Sequence, residues 1–154
     1  MQATWLVLLC ACGGSTPTAP ADVSVSDLKS APLTVVADGQ RLTSSAALWR
    51  DFMPISPPDG KALTAGIRIA TEDGSLVSPP IVVDITWVVH GSEVWQAAPE
   101  QRPRTETSPV YEVVARDGPK WGPDVSVDVI VRLTDSAGRR TLLRAADQMI
   151  RGTF

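Results

Sequence analysis

From Pro32 onward, apolar and polar residues alternate along the chain. Leu33, Val35 and Ala37 share one face of a short run that ends at Asp38-Gly39. Leu63, Ala65, Ile67 and Ile69 oppose Thr64, Gly66, Arg68 and Ala70, and Asp73-Gly74 closes that run. Ile81, Val83, Ile85, Trp87 and Val89 oppose Val82, Asp84, Thr86 and Val88; His90-Gly91 follows, and Glu93-Val94-Trp95-Gln96 returns as a hairpin partner. The clearest run sets Val125, Val127, Val129, Val131 and Leu133 against Ser126, Asp128, Ile130, Arg132 and Thr134. Asp135-Ser136-Ala137-Gly138 then leads into Arg139 to Ala145. Successive side chains of a strand point to opposite faces, so each run predicts a strand with one buried and one wetted surface. The intervening Asp and Gly residues supply hairpin turns.

Three segments depart from this pattern. Leu42 to Phe52, with Ala46, Ala47 and Leu48, is open to a helical reading with Ser44 or Ser45 as cap. Pro54, Pro57, Pro58 and Asp59-Gly60 restrict it to a short turn of helix at most. Ala97 to Pro109 is polar and carries Pro99, Pro103 and Pro109. It predicts a long loop, a class of segment that tends to be functional or mobile. Gly13 to Ala31 is built of small residues and Pro with no helical period, which predicts a flexible tether. A random coil of that length spans about 22–26 Å. Within it, Val23-Ser24-Val25-Ser26 alternates and offers an edge strand instead.

Composition narrows the class. Hydrophobic residues make up 44% and charged residues 20% of the chain, a globular rather than a disordered balance. The net charge of -3 and the scattered Lys and Arg, adjacent only at Arg139-Arg140, leave no basic stripe for a nucleic acid. Thirteen prolines and eleven glycines favour many turns over long helices.

The N-terminus carries the most specific signal. Ala3 to Leu9 is an apolar run followed by Leu9-Cys10-Ala11-Cys12 and Gly13-Gly14. A secretory h-region has about 7–15 apolar residues, whereas a bilayer span needs about 20. The segment resembles the lipobox signal of bacterial lipoproteins, with Leu9 at the aliphatic position and small Ala11 before the cysteine. That resemblance implies cleavage before Cys12 and acylation of Cys12. Cys10 fits less well, because Leu9 would fill the small-residue position. The match departs from the family in having no Lys or Arg in Met1-Gln2, and in having a cysteine two places before the acylated one. A simple secretory signal, or a short apolar segment, is the alternative. Both cysteines of the chain lie here, so the expected mature chain has no internal disulfide to stabilise it. Several acyl chains would form a firm membrane anchor. Gly13 resembles the class not retained at the inner membrane. The expected location is therefore the cell envelope, at the outer membrane or periplasmic face if the organism is Gram-negative.

The expected organisation is a signal peptide over 1–11, a lipidated cysteine and tether over 12–31, and one domain over 32–154. Seven to nine short strands in a domain of this size predict an all-β fold, a single antiparallel β-sandwich. The pattern over Pro32 to Phe154 is similar to immunoglobulin-like and fibronectin type III-like domains. The inter-sheet cysteine pair of true immunoglobulin domains is absent, and a core tryptophan, Trp87, is the nearest counterpart of their central one.

A search for chemistry returns little. His90, the sole histidine, sits before Gly91 and reads as a solvated turn residue, not a base or metal ligand. One histidine and one lipidated thiol leave no conventional zinc set, and Met53, Met149 and His90 have no copper-binding spacing. No cofactor is implied. No G-x-S-x-G elbow is present. Asp38, Asp59, Asp73 and Asp135 sit at turns, where Asp is favoured for backbone reasons. Glu72-Asp73 and Asp117 lack a calcium-loop motif.

Tryptophan is over-represented: five, against one tyrosine and two phenylalanines. Asp117-Gly118-Pro119-Lys120-Trp121-Gly122-Pro123 holds Trp121 between two Gly-Pro pairs, feeding the strongest strand. Trp121 is expected either to plug the end of the fold or to stand exposed as an aromatic anchor, with the plug favoured. Trp95 and Trp49 divide in the same way; if Val94 faces inward, Trp95 faces outward. These three are the candidate binding residues. Two functions follow. The favoured one is a lipid-anchored, non-catalytic envelope module that binds protein or glycan. The alternative is an envelope hydrolase using a carboxylate pair in a loop-lined cleft.

Overall fold

The alternating runs form strands throughout. The computed structural model describes residues 23–154. Its elements are α1 (Val25–Ser30), β1 (Thr34–Ala37), β2 (Gln40–Asp51), β3 (Leu63–Thr71), β4 (Val82–His90) and β5 (Glu93–Ala97). They continue with β6 (Glu100–Gln101), β7 (Val110–Gly118), β8 (Ser126–Thr134) and β9 (Arg140–Thr153). The chain is therefore mostly β, as expected. The segment read as a signal peptide, Cys12 and the first part of the expected tether lie outside the described residues.

The strands pair in the order β5-β4-β8-β9-β2-β3-β7-β6, with β1 also on β2. The expectation of a purely antiparallel sandwich needs correction. Every pairing is antiparallel except one: Leu48–Asp51 of β2 runs parallel to Ile150–Thr153 of β9. That pairing joins two antiparallel halves into one mixed, curled sheet. Its cause lies in β9. The sequence pattern ends the strand at Ala145, but Asp147 adopts φ 54° and the register to β8 shifts between Val127 and Val129. Such a bulge bends a strand. Beyond it Ile150 re-enters the core, and the strand end leaves β8 for β2.

The curl encloses the core. Leu42 and Leu48 (β2), Leu63, Ala65, Ile67 and Ile69 (β3), Val113 and Ala115 (β7), and Val127, Val129, Val131 and Leu133 (β8) pack in one cluster with Leu143 and Ile150. The parity read for β3 and β8 is the observed one. The parity of β4 is not. A register shift between Val83 and Ile85 divides the expected face: Val83 joins the main core, but Trp87 and Val89 turn to the opposite side. Val88 takes their place inside. Trp87 is thus no central core tryptophan. It lies in a second cluster with Val89, Ile130, Leu28 and Ala31.

That cluster revises the tether. Val25–Ser30, read as flexible tether or edge strand, is a short helix. The Ser24 side chain accepts the Asp27 N–H at 3.1 Å and caps it. Leu28 is fully buried against Trp87 and Ile130. Arg144 fixes the exit, donating from Nε to the Ala31 carbonyl at 3.0 Å and from its backbone N–H to the Pro32 carbonyl at 2.9 Å. The helical reading of Leu42 to Phe52 is likewise overturned. This segment is β2, whose pairing with β3 runs from Leu42↔Thr71 to Trp49↔Thr64. Asp38 and Gly39, at φ 46° and 74°, form the β1–β2 hairpin turn that Asp-Gly favours.

Candidate functional site

The loop between β5 and β7 is held at two points. Gln101 donates from Nε2 to the Val83 carbonyl at 2.7 Å, and its Oε1 takes up the Tyr111 hydroxyl. That hydroxyl accepts the Val83 N–H at 3.1 Å. Both backbone groups of Val83, at the β4 register shift, are thereby satisfied from across the core. Arg104 is the second point. It donates to the carbonyls of Ser78 at 2.8 Å, Pro79 at 3.0 Å and Ile81. Its guanidinium carbon stands 3.7 Å from the centre of the Tyr111 ring, a cation–π stack.

Beside this stack opens a cleft of about 290 Å3. Leu76, Val77, Pro79, Val110 and Tyr111 give it mostly apolar walls, with Arg104 and the Thr105–Ser108 rim supplying polar groups. Apolar walls with a few placed polar groups are the usual chemistry of a binding pocket. The volume suits one or two side chains, or a single ring. Among the described residues no carboxylate pairs with Arg104, and Glu106 is the one carboxylate in the lining.

The tryptophans divide by face. Trp121 is half-buried and packs on the main core near His90, with ring centres 5.3 Å apart. Its loop is fixed from below by Arg50, which is 3% exposed. Arg50 donates to the carbonyls of Lys120 at 3.0 Å and Gly122 at 2.9 Å, on either side of Trp121, and to those of Lys61 at 3.0 Å and Asp59. Trp95 also packs on the core, and Val94, 39% exposed, is the residue that faces outward. The Trp95 ring rests on Gly118, where a Cβ would come within 2.8 Å of it. Trp49 follows core-facing Leu48 and therefore sits on the outer face of β2, separate from the other two. The structure does not gather the three candidates into one platform.

Arg50, Gln101, Arg104 and Tyr111 were not singled out from sequence. Arg50 left a trace there, because it shares the strand parity of Leu42 and Leu48.

The carboxylates with displaced titration all lie below their ordinary range. The Met53 N–H and then Lys61 hold Asp51 down; Lys120 does so for Asp59, the Ser75 hydroxyl for Asp73 and the Arg132 guanidinium for Asp84. In Asp135 burial pushes upward, but the Arg139 and Ala137 amides and the Arg139 guanidinium outweigh it. A general acid at neutral pH needs the opposite displacement. His90 ends β4; its Nδ1 is buried without a hydrogen-bond partner among the described residues, 3.7 Å from a Glu93 carboxylate oxygen. No cluster of three or more His, Cys, Asp or Glu among the described residues is arranged to hold a metal. No described helix is long and apolar enough to cross a membrane. Comparison with protein-family models, curated proteins and solved structures found no match to this chain.

Proposed function

We propose that this chain is a lipid-anchored, non-catalytic module of the bacterial cell envelope. It receives an apolar side chain or short segment of a partner polypeptide in the cleft beside Arg104 and Tyr111. The observation that carries the reading is the cleft itself: apolar walls, a guanidinium stacked on a phenol, and a loop pinned in place by Gln101 and Arg104. A pre-formed pocket loses little entropy on binding. The strand order supports an immunoglobulin-like domain, with β2-β3-β7-β6 as one half and β5-β4-β8-β9 as the other. The lipobox-like segment ending at Cys12 supports the anchor. The hydrolase alternative calls for two carboxylates about 5–9.5 Å apart across a cleft, and Glu106 is the single one in this lining.

A photoreactive benzoylphenylalanine in place of Thr105, on the cleft rim, tests the reading in intact envelopes. The expected result is an adduct with a polypeptide that disappears when Val110→Arg fills the cleft and is absent when the probe replaces Asp147. An adduct that survives Val110→Arg undiminished, or no adduct above the Asp147 control, contradicts the reading. Circular-dichroism melting of Val110→Arg confirms that its fold is kept.

A further inference from the structure

A second concave surface lies on the opposite side of the β2-β3-β7 half from the core. The Trp49 ring spreads over Gly66: its Cζ3 and Cη2 atoms stand 3.5 and 3.8 Å from the point a Gly66 Cβ would occupy. The strand face is flat there because Gly66 has no side chain. Trp49 is half-buried, with its Cζ3 and Cη2 atoms nearest Gly66, so part of the indole stays open to solvent. Its N–H has no acceptor among the described residues, and it is not one of the buried unpartnered atoms. By contrast, the Trp87 N–H donates to Gln96 at 2.9 Å, and α1 covers that ring.

A groove of about 230 Å3 runs beside the Trp49 ring, lined by Ala47, Gly66, Arg68, Arg102 and Glu112 among others. Arg68 and Glu112 face each other at 2.8 Å with side chains 60% and 45% exposed. That single contact uses the Arg68 Nε and one Glu112 oxygen, leaving further guanidinium donors and a carboxylate acceptor at the groove edge.

We infer that this surface is a glycan-binding site that takes a chain of hexopyranoses. A pyranose has an apolar C–H face and an edge of hydroxyls that both donate and accept. The indole face matches the first; the Arg68–Glu112 pair and the indole N–H match the second. Two guanidinium groups against one carboxylate leave the groove with excess positive charge, so glycans bearing carboxylates bind more tightly than neutral ones. The site rests on residues separate from the Arg104–Tyr111 cleft, so its failure leaves the cleft reading intact.

The test is binding of the soluble domain to murein sacculi by sedimentation, and to chitotetraose, cellotetraose and maltotetraose by calorimetry. Sacculi are expected to retain the protein, less so at high salt, and at least one tetrasaccharide to bind with a dissociation constant in the millimolar range or tighter. Trp49→Ala weakens binding at least tenfold. Gly66→Val, which raises the ring from the sheet while suiting a strand, does the same. Val82→Ala, at an exposed position on β4 in the other half of the sheet, binds as the parent does. Circular dichroism shows both groove variants folded; if one fails to fold, the other decides. The inference is overturned if no probe binds, or if a folded Trp49→Ala or Gly66→Val variant binds as the parent does.

Discussion

Removing Arg50 tests whether one buried guanidinium holds the Trp121 loop in place. Its donors reach carbonyls in two loops, Asp59 and Lys61 on one side and Lys120 and Gly122 on the other. The aliphatic and charged parts are both enclosed, and the guanidinium lies 4.9 Å from the centre of the Phe52 ring. Hydrogen bonds to charged groups contribute about 1.5–3 kcal/mol each. Four of them do not add in full, because burying the guanidinium is itself costly and the freed carbonyls regain water. A net loss of about 3–4 kcal/mol follows, in line with breaking other buried charged contacts. For a domain of this size that lowers Tm by about 10–15 °C. Arg50→Lys keeps the charge but cannot span both loops, and is expected to lose roughly half as much. Arg50→Met is the decisive variant. It removes the desolvation penalty with the charge, so it would be neutral if Arg50 were merely a tolerated buried cation. The expected result instead is destabilisation close to the full amount, with faster amide exchange in 59–61 and 118–122. Urea and thermal unfolding followed by circular dichroism, together with hydrogen exchange, provide the readout. Parent-like Tm and exchange in Arg50→Met would refute the argument.

Two other perturbations reach different parts of the fold. Arg132 holds Asp84 through Nε at 2.8 Å and Nη2 at 2.7 Å, lowering the folded-state pKa of the carboxyl. The pair therefore stabilises the fold above the unfolded pKa of about 4, and this contribution is lost as pH falls through the lower folded value. With side chains 23% and 33% exposed, it amounts to about 1 kcal/mol. Urea midpoints at pH 7 and pH 3 should differ less in Asp84→Asn than in the parent; an equal difference removes the pair from the account. Leu28→Ala should cost about 2 kcal/mol, the low end for a buried leucine because α1 can detach. A red shift of the summed tryptophan emission should accompany it as Trp87 is uncovered, and unchanged emission and stability would show that α1 does not cover Trp87.

The strands were legible where one face meets the core and the other meets water. The β3 run meets that condition and its parity survives intact; in β8 the parity also survives, although α1 covers Ile130 on the outer face. The pattern failed where both faces are covered or where a bulge intervenes. In β4, Trp87 and Val88 are both buried, one under α1 and one in the core, so alternation could not say which face was which. In β9, Asp147 changes the parity, and parallel pairing with β2 has no hairpin signal to announce it. β2 reads as helix-prone because Ala46 and Ala47 are good helix formers; tertiary pairing with β3 overrides that preference. The proposed binding surfaces were partly legible. Trp49 was a candidate, but its contact with Gly66 of the neighbouring strand is made only by the fold. Arg104 looked like one more polar loop residue, and its stack on Tyr111 forms only when the loop folds back over β7.

The central claim is that this domain works at a membrane surface, carried there by Cys12. Intact-mass and N-terminal peptide spectrometry of the protein purified from its native membranes tests it most directly. The account calls for a chain beginning at Cys12 with a diacylglyceryl group on the thiol, and for Cys12→Ala protein to leave the membrane fraction. A membrane-bound chain with an unmodified Cys12, or Cys12→Ala protein that stays in the membrane fraction, would contradict it.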